Sequence, residues 1–200
     1  MASTAVNIPG VAVQEIPEVQ PSVSWQEFEQ QYLGREDAFK YEWVRGAVVK
    51  TPRVMNQYQY FILDNLTEFF NRLRMENKAS GKLYAEIDTF FQKNVHRRPD
   101  LAWFSDEQVA RMARRENQVP KFVIEIISEN DVVDKLKDYH DAQVGVVWLI
   151  SPNLEQVHIF AGGDSTICTG EMMCSAAPVL PGFEMSANAI FEKPALPEVG

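Results

Sequence analysis

Cysteine is scarce in this sequence, and its placement excludes two common ways of stabilising a chain. The 200 residues contain two cysteines, Cys168 and Cys174, in a C-terminal stretch without a second pair of cysteines or histidines nearby. This pattern supports neither a disulfide framework nor a zinc site. Free thiols are typical of a reducing compartment, so the sequence predicts a cytoplasmic protein.

Long hydrophobic runs are also missing. Hydrophobic residues make up 46% of the chain, but no stretch approaches the roughly 18 uninterrupted apolar residues of a membrane span, and no membrane partner is expected. The first residues lack the basic start and the apolar segment of an export signal. Residues 1–24 have no sustained period, so we expect an extended or disordered leader. Residues 25–200 are then expected to form a single domain.

Positive charge is scarce as well. The chain has 19 Lys and Arg against 28 Asp and Glu, which gives a formal net charge of -9. This balance counts against a broad phosphate-binding surface, because non-specific affinity for nucleic acids comes mostly from Lys and Arg. Two basic groups could still contact phosphate, although groups of this kind are usually solvated faces: Arg97 with Arg98, and Arg111 with Arg114 and Arg115.

The spacing of apolar residues predicts both helices and strands. Helical spacing predicts helices at 25–32, after the N-cap Ser24, at 56–76, near 106–116 and at 131–143. Strand composition predicts a hairpin at 39–49 around Arg45-Gly46. Further strands are predicted at 82–91, 100–104, 122–127, 146–150 and 156–161.

Three charged residues lie in or beside segments that are otherwise apolar. Asp100 stands at the start of the strand predicted at 100–104, Glu125 lies within the one at 122–127, and Lys135 lies on the helix that follows. An unpaired buried carboxylate would be costly, and two carboxylates brought together cannot both stay ionised without a cation. A bound Mg²⁺ would neutralise them and accept their oxygen ligands. With a nearby ammonium, the set suits metal-assisted hydrolysis of a phosphodiester.

A structural role would explain each of these charges taken singly. Asp100 follows a proline and could cap a turn, and Glu125 could be neutralised by Arg97 or Arg98. Lys135 could lay its methylenes over the apolar face of its helix and leave its ammonium in water. The order acid, acid, lysine on consecutive elements is nevertheless what a shared pocket requires.

Helical phase distinguishes Lys135 from its neighbour Lys137. At about 100° per residue, Lys135 lies roughly 60° from the centre of the apolar stripe that includes Leu136 and Tyr139, whereas Lys137 points the opposite way. We therefore expect Lys135, and not Lys137, to lean toward the core.

Several short elements occur in an order that is more specific than any one of them. They are Tyr41-Glu42-Trp43-Val44-Arg45-Gly46, Arg98-Pro99-Asp100, Val123-Ile124-Glu125-Ile126-Ile127-Ser128, Asp134-Lys135 with Tyr139, Gly145-Val146-Val147-Trp148-Leu149-Ile150, and Leu180-Pro181-Gly182-Phe183. With these elements, residues 25–193 resemble the Uma2 family of restriction endonucleases, which belongs to the PD-(D/E)xK nuclease superfamily.

The resemblance implies an α+β (α/β) fold with a restriction-endonuclease-like core, in which a mixed central sheet is flanked by helices. It also implies that Asp100 and Glu125 hold a divalent metal, Mg²⁺ or Mn²⁺, with Glu42 as a further candidate ligand. In the superfamily the lysine usually stands two residues after the second acid. That position is Ile127 here, so the lysine role passes to Lys135, as the family's own pattern suggests.

These observations predict a Mg²⁺-dependent endonuclease that hydrolyses DNA phosphodiester bonds and forms a homodimer. The predicted catalytic residues are Asp100, Glu125, Lys135 and Glu42. Two alternatives stay open: a non-catalytic binding or regulatory module that keeps the nuclease fold, and a hydrolase of a small phosphorylated molecule. The negative charge favours the first, as does Asn56, which stands where relatives commonly have histidine. The second needs no extended basic surface.

Overall fold

A computed structural model describes residues 22–52, 56–127 and 132–195. Within these ranges the helices are α1 at Trp25–Phe28, which continues as a π-helical turn at Glu29–Leu33, α2 at Gln57–Met75, α3 at Asp106–Met112, α4 at Val132–Asp141 and α5 at Ala187–Ile190. Ser24 and Asn56 each begin a helix with a capping box, so the cap side chain accepts a backbone N–H three residues on. The predicted helices are therefore confirmed, with small shifts at their ends.

Twelve strands lie in the same ranges. They are β1 Phe39–Val44, β2 Ala47–Pro52, β3 Lys82–Ala85, β4 Thr89–Gln92, β5 Val95–Arg97, β6 Leu101–Phe104, β7 Phe122–Ile126, β8 Val146–Ser151, β9 Gln156–Ala161, β10 Asp164–Cys168, β11 Met173–Ala176 and β12 Leu180–Ser186. No helix in the described part of the chain is long and apolar enough to cross a membrane.

The strands form three sheets. Four strands are ordered β2-β1-β5-β4, six are ordered β10-β9-β8-β7-β6-β3, and β11 pairs with β12. In the six-stranded sheet β7 and β8 are parallel, whereas β7 and β6 are antiparallel, so this sheet is mixed. Parallel neighbours need a crossover connection, and α4 supplies it between β7 and β8.

The hairpin predicted around Arg45-Gly46 is confirmed. β1 and β2 are antiparallel and in register from Phe39 opposite Pro52 to Val44 opposite Ala47. Arg45 and Gly46 both have positive φ, 52° and 86°, which a two-residue turn of this kind requires at both positions.

The single strand predicted at 82–91 is wrong, because the structure divides it between two sheets. β3 ends at Ala85 and pairs with β6, whereas β4 starts at Thr89 and pairs with β5. Between them Glu86 adopts a left-handed conformation with φ of 46°, which lies outside the extended region of a strand. Apolar alternation persists across this break, so the sequence pattern did not reveal it.

The two faces of β7 pack against different layers. Alternate residues Phe122, Ile124 and Ile126 join the main core, together with residues of α2, α5 and β12. Val123 faces the other way and packs in a second core with Tyr139 of α4. Glu125 follows the same alternation, so it lies on the face of the sheet that α4 covers.

The connection Arg98-Pro99-Asp100 joins the two larger sheets. The chain leaves the four-stranded sheet at Arg97 and enters the six-stranded sheet at Leu101. Side chains from β1 and β5 therefore meet side chains from β7 and α4 at this point.

The predicted leader lies mostly outside the described residues, so the domain boundary at residue 24 stays a prediction. The described part begins at Ser22. The Val23 N–H donates to the Gly46 carbonyl at 2.8 Å, and the indole N–H of Trp43 donates to the Val23 carbonyl at 2.7 Å.

Candidate functional site

Glu125 lies under α4, and two side chains of that helix contact its carboxylate. The residue is 1% exposed. Lys135 Nζ donates to Oε2 at 3.0 Å, and the Tyr139 hydroxyl donates to Oε1. Lys135 and Tyr139 are four residues apart, so one helix face presents both. The alternative in which Arg97 or Arg98 neutralises Glu125 is therefore wrong.

Asp100 is the second buried acid, and it is held by one side chain and one backbone group. Lys40 Nζ donates to Oδ1 at 3.0 Å, and the Ile126 N–H donates to Oδ2 at 2.7 Å. Ile126 directly follows Glu125 on β7, so this bond brings Asp100 beside the other acid. We call Lys40, Asp100, Glu125, Lys135 and Tyr139 the ammonium cluster.

Glu42 belongs to a second set of charges, in which Arg97 and Asp138 are also buried and Arg45 is exposed. Arg97 Nη1 donates to its Oε2 at 2.9 Å, and the Arg98 N–H donates to its Oε1 at 2.7 Å. Arg97 also donates from Nη2 to Asp138 Oδ2 at 2.6 Å, while Arg45 donates to Asp138 Oδ1. We call Glu42, Arg97, Asp138 and Arg45 the guanidinium cluster.

The two clusters are close enough for their charges to interact. Burial would raise the pKa of Glu42, but Lys135, Arg97 and Lys40 hold it below its ordinary value. Burial raises the pKa of Glu125, and the Asp100 charge adds to this rise while Lys135 opposes it. Burial would lower the pKa of Lys135, but Glu125, Glu42 and Asp100 raise it above its ordinary value.

Helical phase predicts the orientation of Lys135 correctly. Lys135 is 8% exposed and contacts Glu125, whereas Lys137 is exposed. Lys137 borders a separate pocket of about 460 Å³ between α4 and the β9–β10 hairpin. The alternative in which the ammonium of Lys135 remains in water is therefore wrong.

The predicted site residues Glu42, Asp100, Glu125 and Lys135 all lie in this one region, but Glu42 has different partners from the rest. Arg97 and Arg98, considered as candidates for phosphate contact, are both buried. Arg98 donates to Asp88 from Nε at 2.8 Å and from Nη2 at 2.7 Å. These two guanidinium groups are thus committed to carboxylates within the protein.

Sequence reasoning missed Lys40 and Asp138. Lys40 stands two residues before Glu42 on β1, so strand alternation places both on one face, and this was the available signal. Asp138 stands three residues after Lys135, on the buried side of the same helix. Neither was selected, because both lie outside the motifs that identified the other site residues.

The donor set can be compared with what a divalent metal needs. The described residues contain no group of three or more His, Cys, Asp or Glu side chains placed to hold a metal ion. Mg²⁺, however, is commonly bound through only one or two carboxylates and keeps several waters. Asp100 and Glu125 fit that mode. Glu42 as a further ligand stays a prediction, and its two oxygens already accept from Arg97 and from the Arg98 N–H.

Comparisons with known proteins agree with this architecture. The family model Uma2, described as "Putative restriction endonuclease", matches residues 25–188. None of the curated proteins matches the chain. The fold is similar to the crystal structure of a putative nuclease belonging to DUF820 from Anabaena variabilis ATCC 29413, with 16% sequence identity and a TM-score of 0.66. The match covers 83% of this chain and 96% of that one, so the restriction-endonuclease-like α+β fold is confirmed.

Proposed function

Because this chain belongs to the Uma2 family, we propose that it is a Mg²⁺-dependent endonuclease that hydrolyses DNA phosphodiester bonds. The observation that carries the proposal is the placement of two buried acids at one site. The backbone N–H that follows Glu125 donates to Asp100, and Lys135 donates to Glu125. Mn²⁺ is expected to replace Mg²⁺, since both accept carboxylate oxygens.

The protein's own groups would each have a distinct task. A divalent cation held by Asp100 and Glu125 would polarise the scissile phosphate and lower the pKa of an attacking water. Lys135 places a positive charge where it can stabilise negative charge that develops on the phosphate. Tyr139 fixes the second oxygen of Glu125, and the Ile126 N–H fixes one oxygen of Asp100. Both acids are thereby oriented before substrate binds.

The proposal is tested by plasmid cleavage with the purified full-length chain in millimolar Mg²⁺. Asp100→Asn and Glu125→Gln keep the shape of each side chain but remove its charge, so both should abolish cleavage, as should a chelator. Glu107→Gln is the matched control, because Glu107 is an exposed acid paired with Arg111 on α3. Cleavage that survives in both buried-acid variants, with the fold intact by circular dichroism, would refute the proposal.

The formal net charge of -9 is compatible with a second candidate, a hydrolase of a small phosphorylated molecule. Such a substrate needs no extended basic surface. A panel of nucleotides and sugar phosphates distinguishes the two candidates, because the second predicts phosphate release from the panel without plasmid cleavage.

Assembly as a homodimer in the cytoplasm is also part of the proposal. A nuclease that cuts both strands must reach two separated phosphates, and two copies of one site would achieve this. The mass of the purified protein, measured by light scattering after size exclusion, tests the dimer directly.

A further inference from the structure

Lys40 is a buried lysine, although a charged side chain contributes little to an apolar core and is usually found on the surface. It lies on β1 and is 6% exposed. Its ammonium donates to Asp100 Oδ1 at 3.0 Å across a sequence separation of 60 residues. Burying an ammonium is costly unless it is paired. The strand therefore places this charge against Asp100 specifically.

The ammonium cluster is already balanced in charge without any bound ion. Lys40 pairs with Asp100 and Lys135 pairs with Glu125, each at 3.0 Å. Burial would lower the pKa of Lys40, but Asp100 and then Glu125 raise it above its ordinary value, so the ammonium stays charged. The two acids are thus neutralised by two lysines of the protein, although the sequence led us to expect neutralisation by a bound cation.

A divalent cation and the Lys40 ammonium would compete for the same oxygen. Asp100 Oδ2 is held by the Ile126 N–H, a backbone group that cannot leave without moving β7. Oδ1 is the oxygen that Lys40 contacts. An ion bound there at about 2.1 Å would lie within a few ångströms of the ammonium and repel it.

We propose that Lys40 is an internal counter-ion of the candidate metal site. Its ammonium binds Asp100 Oδ1 when no divalent cation is present and releases this oxygen when a cation binds. The proposal rests on the proposed function in that the same two acids take the cation. Lys40 is a positioning residue in this scheme, and its effect is to weaken and so regulate binding of the cation.

The exchange also bears on the substrate. With two acids and two ammonium groups, the cluster has no net charge by itself, so a divalent cation gives it two positive charges. A phosphodiester anion is then attracted only after the cation has bound. Binding of the cation is therefore coupled to binding of an anionic substrate.

The test is isothermal titration of Mg²⁺ and of Mn²⁺ into the purified full-length chain and its variants. Lys40→Met keeps the apolar stem but removes the competing charge, so both ions should bind more tightly, by a factor on the order of ten. Without metal this variant should melt at a lower temperature than wild type, and added metal should raise its melting temperature by more than it raises that of wild type. Lys137→Met, an exposed lysine on α4, is the control and should change none of these values.

A second variant keeps the test decisive if Lys40→Met does not fold. Lys40→Arg retains the charge and adds a fork that can grip a carboxylate at two points, so it should weaken binding of both ions by a factor on the order of ten. Unchanged or weaker metal binding in Lys40→Met, or unchanged binding in Lys40→Arg, overturns the counter-ion role while leaving the metal site intact. Absence of metal binding in wild type and in every variant overturns the metal-dependent function together with the counter-ion role.

Discussion

The ammonium cluster and the guanidinium cluster each contain two buried acids and each join β1 to α4, yet they use different cations. In the described structure, Lys40 and Lys135 each donate one side-chain hydrogen bond to one acid. Arg97 instead donates to Glu42 and twice to Asp138. A guanidinium fork fixes the acids around it, whereas an ammonium is a compact charge on a flexible stem that can change partners.

This difference suggests separate roles, in which the guanidinium cluster holds the structure and the ammonium cluster takes part in the proposed reaction. Asp138 lies between Lys135 and Tyr139 on α4, so the guanidinium cluster fixes the helix that presents both groups to Glu125. Glu42 likewise fixes β1, which carries Lys40. The guanidinium cluster thus holds both elements that carry the ammonium cluster. Variants of the guanidinium cluster should therefore lose stability, whereas variants of the ammonium cluster should lose activity.

The largest expected effect is on stability, from Arg97→Met in the guanidinium cluster. This change leaves Glu42 and Asp138 without their shared cation, and removal of one partner from a buried pair costs about 3 to 5 kcal/mol in the free energy of unfolding. Urea unfolding at neutral pH measures the loss. Arg111→Met removes an exposed arginine paired with Glu107 and should stay within about 0.5 kcal/mol of wild type. Similar losses in both variants would remove the basis of the comparison.

The next effect is on catalysis, from Lys135→Ala in the ammonium cluster. If Lys135 stabilises charge in the transition state, the single-turnover rate of plasmid cleavage should fall by a factor on the order of 10² to 10³. Its loss of stability should be smaller than that of Arg97→Met, because Lys135 bonds one buried acid whereas Arg97 bonds two.

Lys137→Ala is the matched control for this rate, since Lys137 points away from both acids and should keep wild-type activity. Equal losses in the two lysine variants would indicate loose attraction of phosphate and not a placed charge. A loss confined to Lys137→Ala would contradict the assignment of Lys135.

A smaller effect is expected from Tyr139→Phe, which removes only the hydroxyl that donates to Glu125. A hydrogen bond to a charged group contributes about 1.5 kcal/mol or somewhat more, so urea unfolding should show a loss of that size. Tyr41→Phe is the control, because its hydroxyl donates at 2.8 Å to Asp37, a partly exposed acid. Unchanged stability in Tyr139→Phe would show that Glu125 does not depend on this hydroxyl.

The smallest expected effect is a dependence on pH that involves Glu42. Its pKa is lowered in the folded protein, so the unfolded chain takes up a proton at higher pH than the folded protein does. The stability that ionised Glu42 contributes is therefore complete above about pH 4.5 and is lost as the pH falls through the lower folded-state pKa. Urea unfolding across acidic pH should show the difference between wild type and Glu42→Gln narrowing as the pH falls. If the difference widened as the pH falls, the pKa of Glu42 would have to be raised in the folded protein and not lowered.

Short-range patterns in the sequence predict the orientation of single side chains but not their partners. Alternation along β7 places Glu125 on the face opposite the main core, and helical phase turns Lys135 toward Glu125. Both orientations can be predicted because each pattern depends only on neighbouring residues. The contact between Lys40 and Asp100 depends on how β1 docks against the connection between two sheets. Nothing local in the sequence encodes that docking, and the same holds for Arg97 and Asp138.

The strand predicted at 82–91 also shows that a local pattern does not determine which strands pair. Its alternation is correct in both halves, but the left-handed conformation of Glu86 turns the chain from one sheet into the other. A glutamate gives no warning of this turn, because glycine and asparagine are the residues that usually adopt it.

The sequence separations within the two clusters bear on how the protein is made. Lys40 and Asp100 are 60 residues apart, and Arg45 and Asp138 are 93 residues apart. During synthesis β1 therefore leaves the ribosome before its partners, so Lys40 and Glu42 cannot pair until residues 97–100 have followed. Contacts of such long range form slowly, because the loops that they close must be ordered first. A chain released early, before α4, would have both β1 and Asp100 but neither Lys135 nor Tyr139, so an incomplete product should lack the proposed nuclease activity.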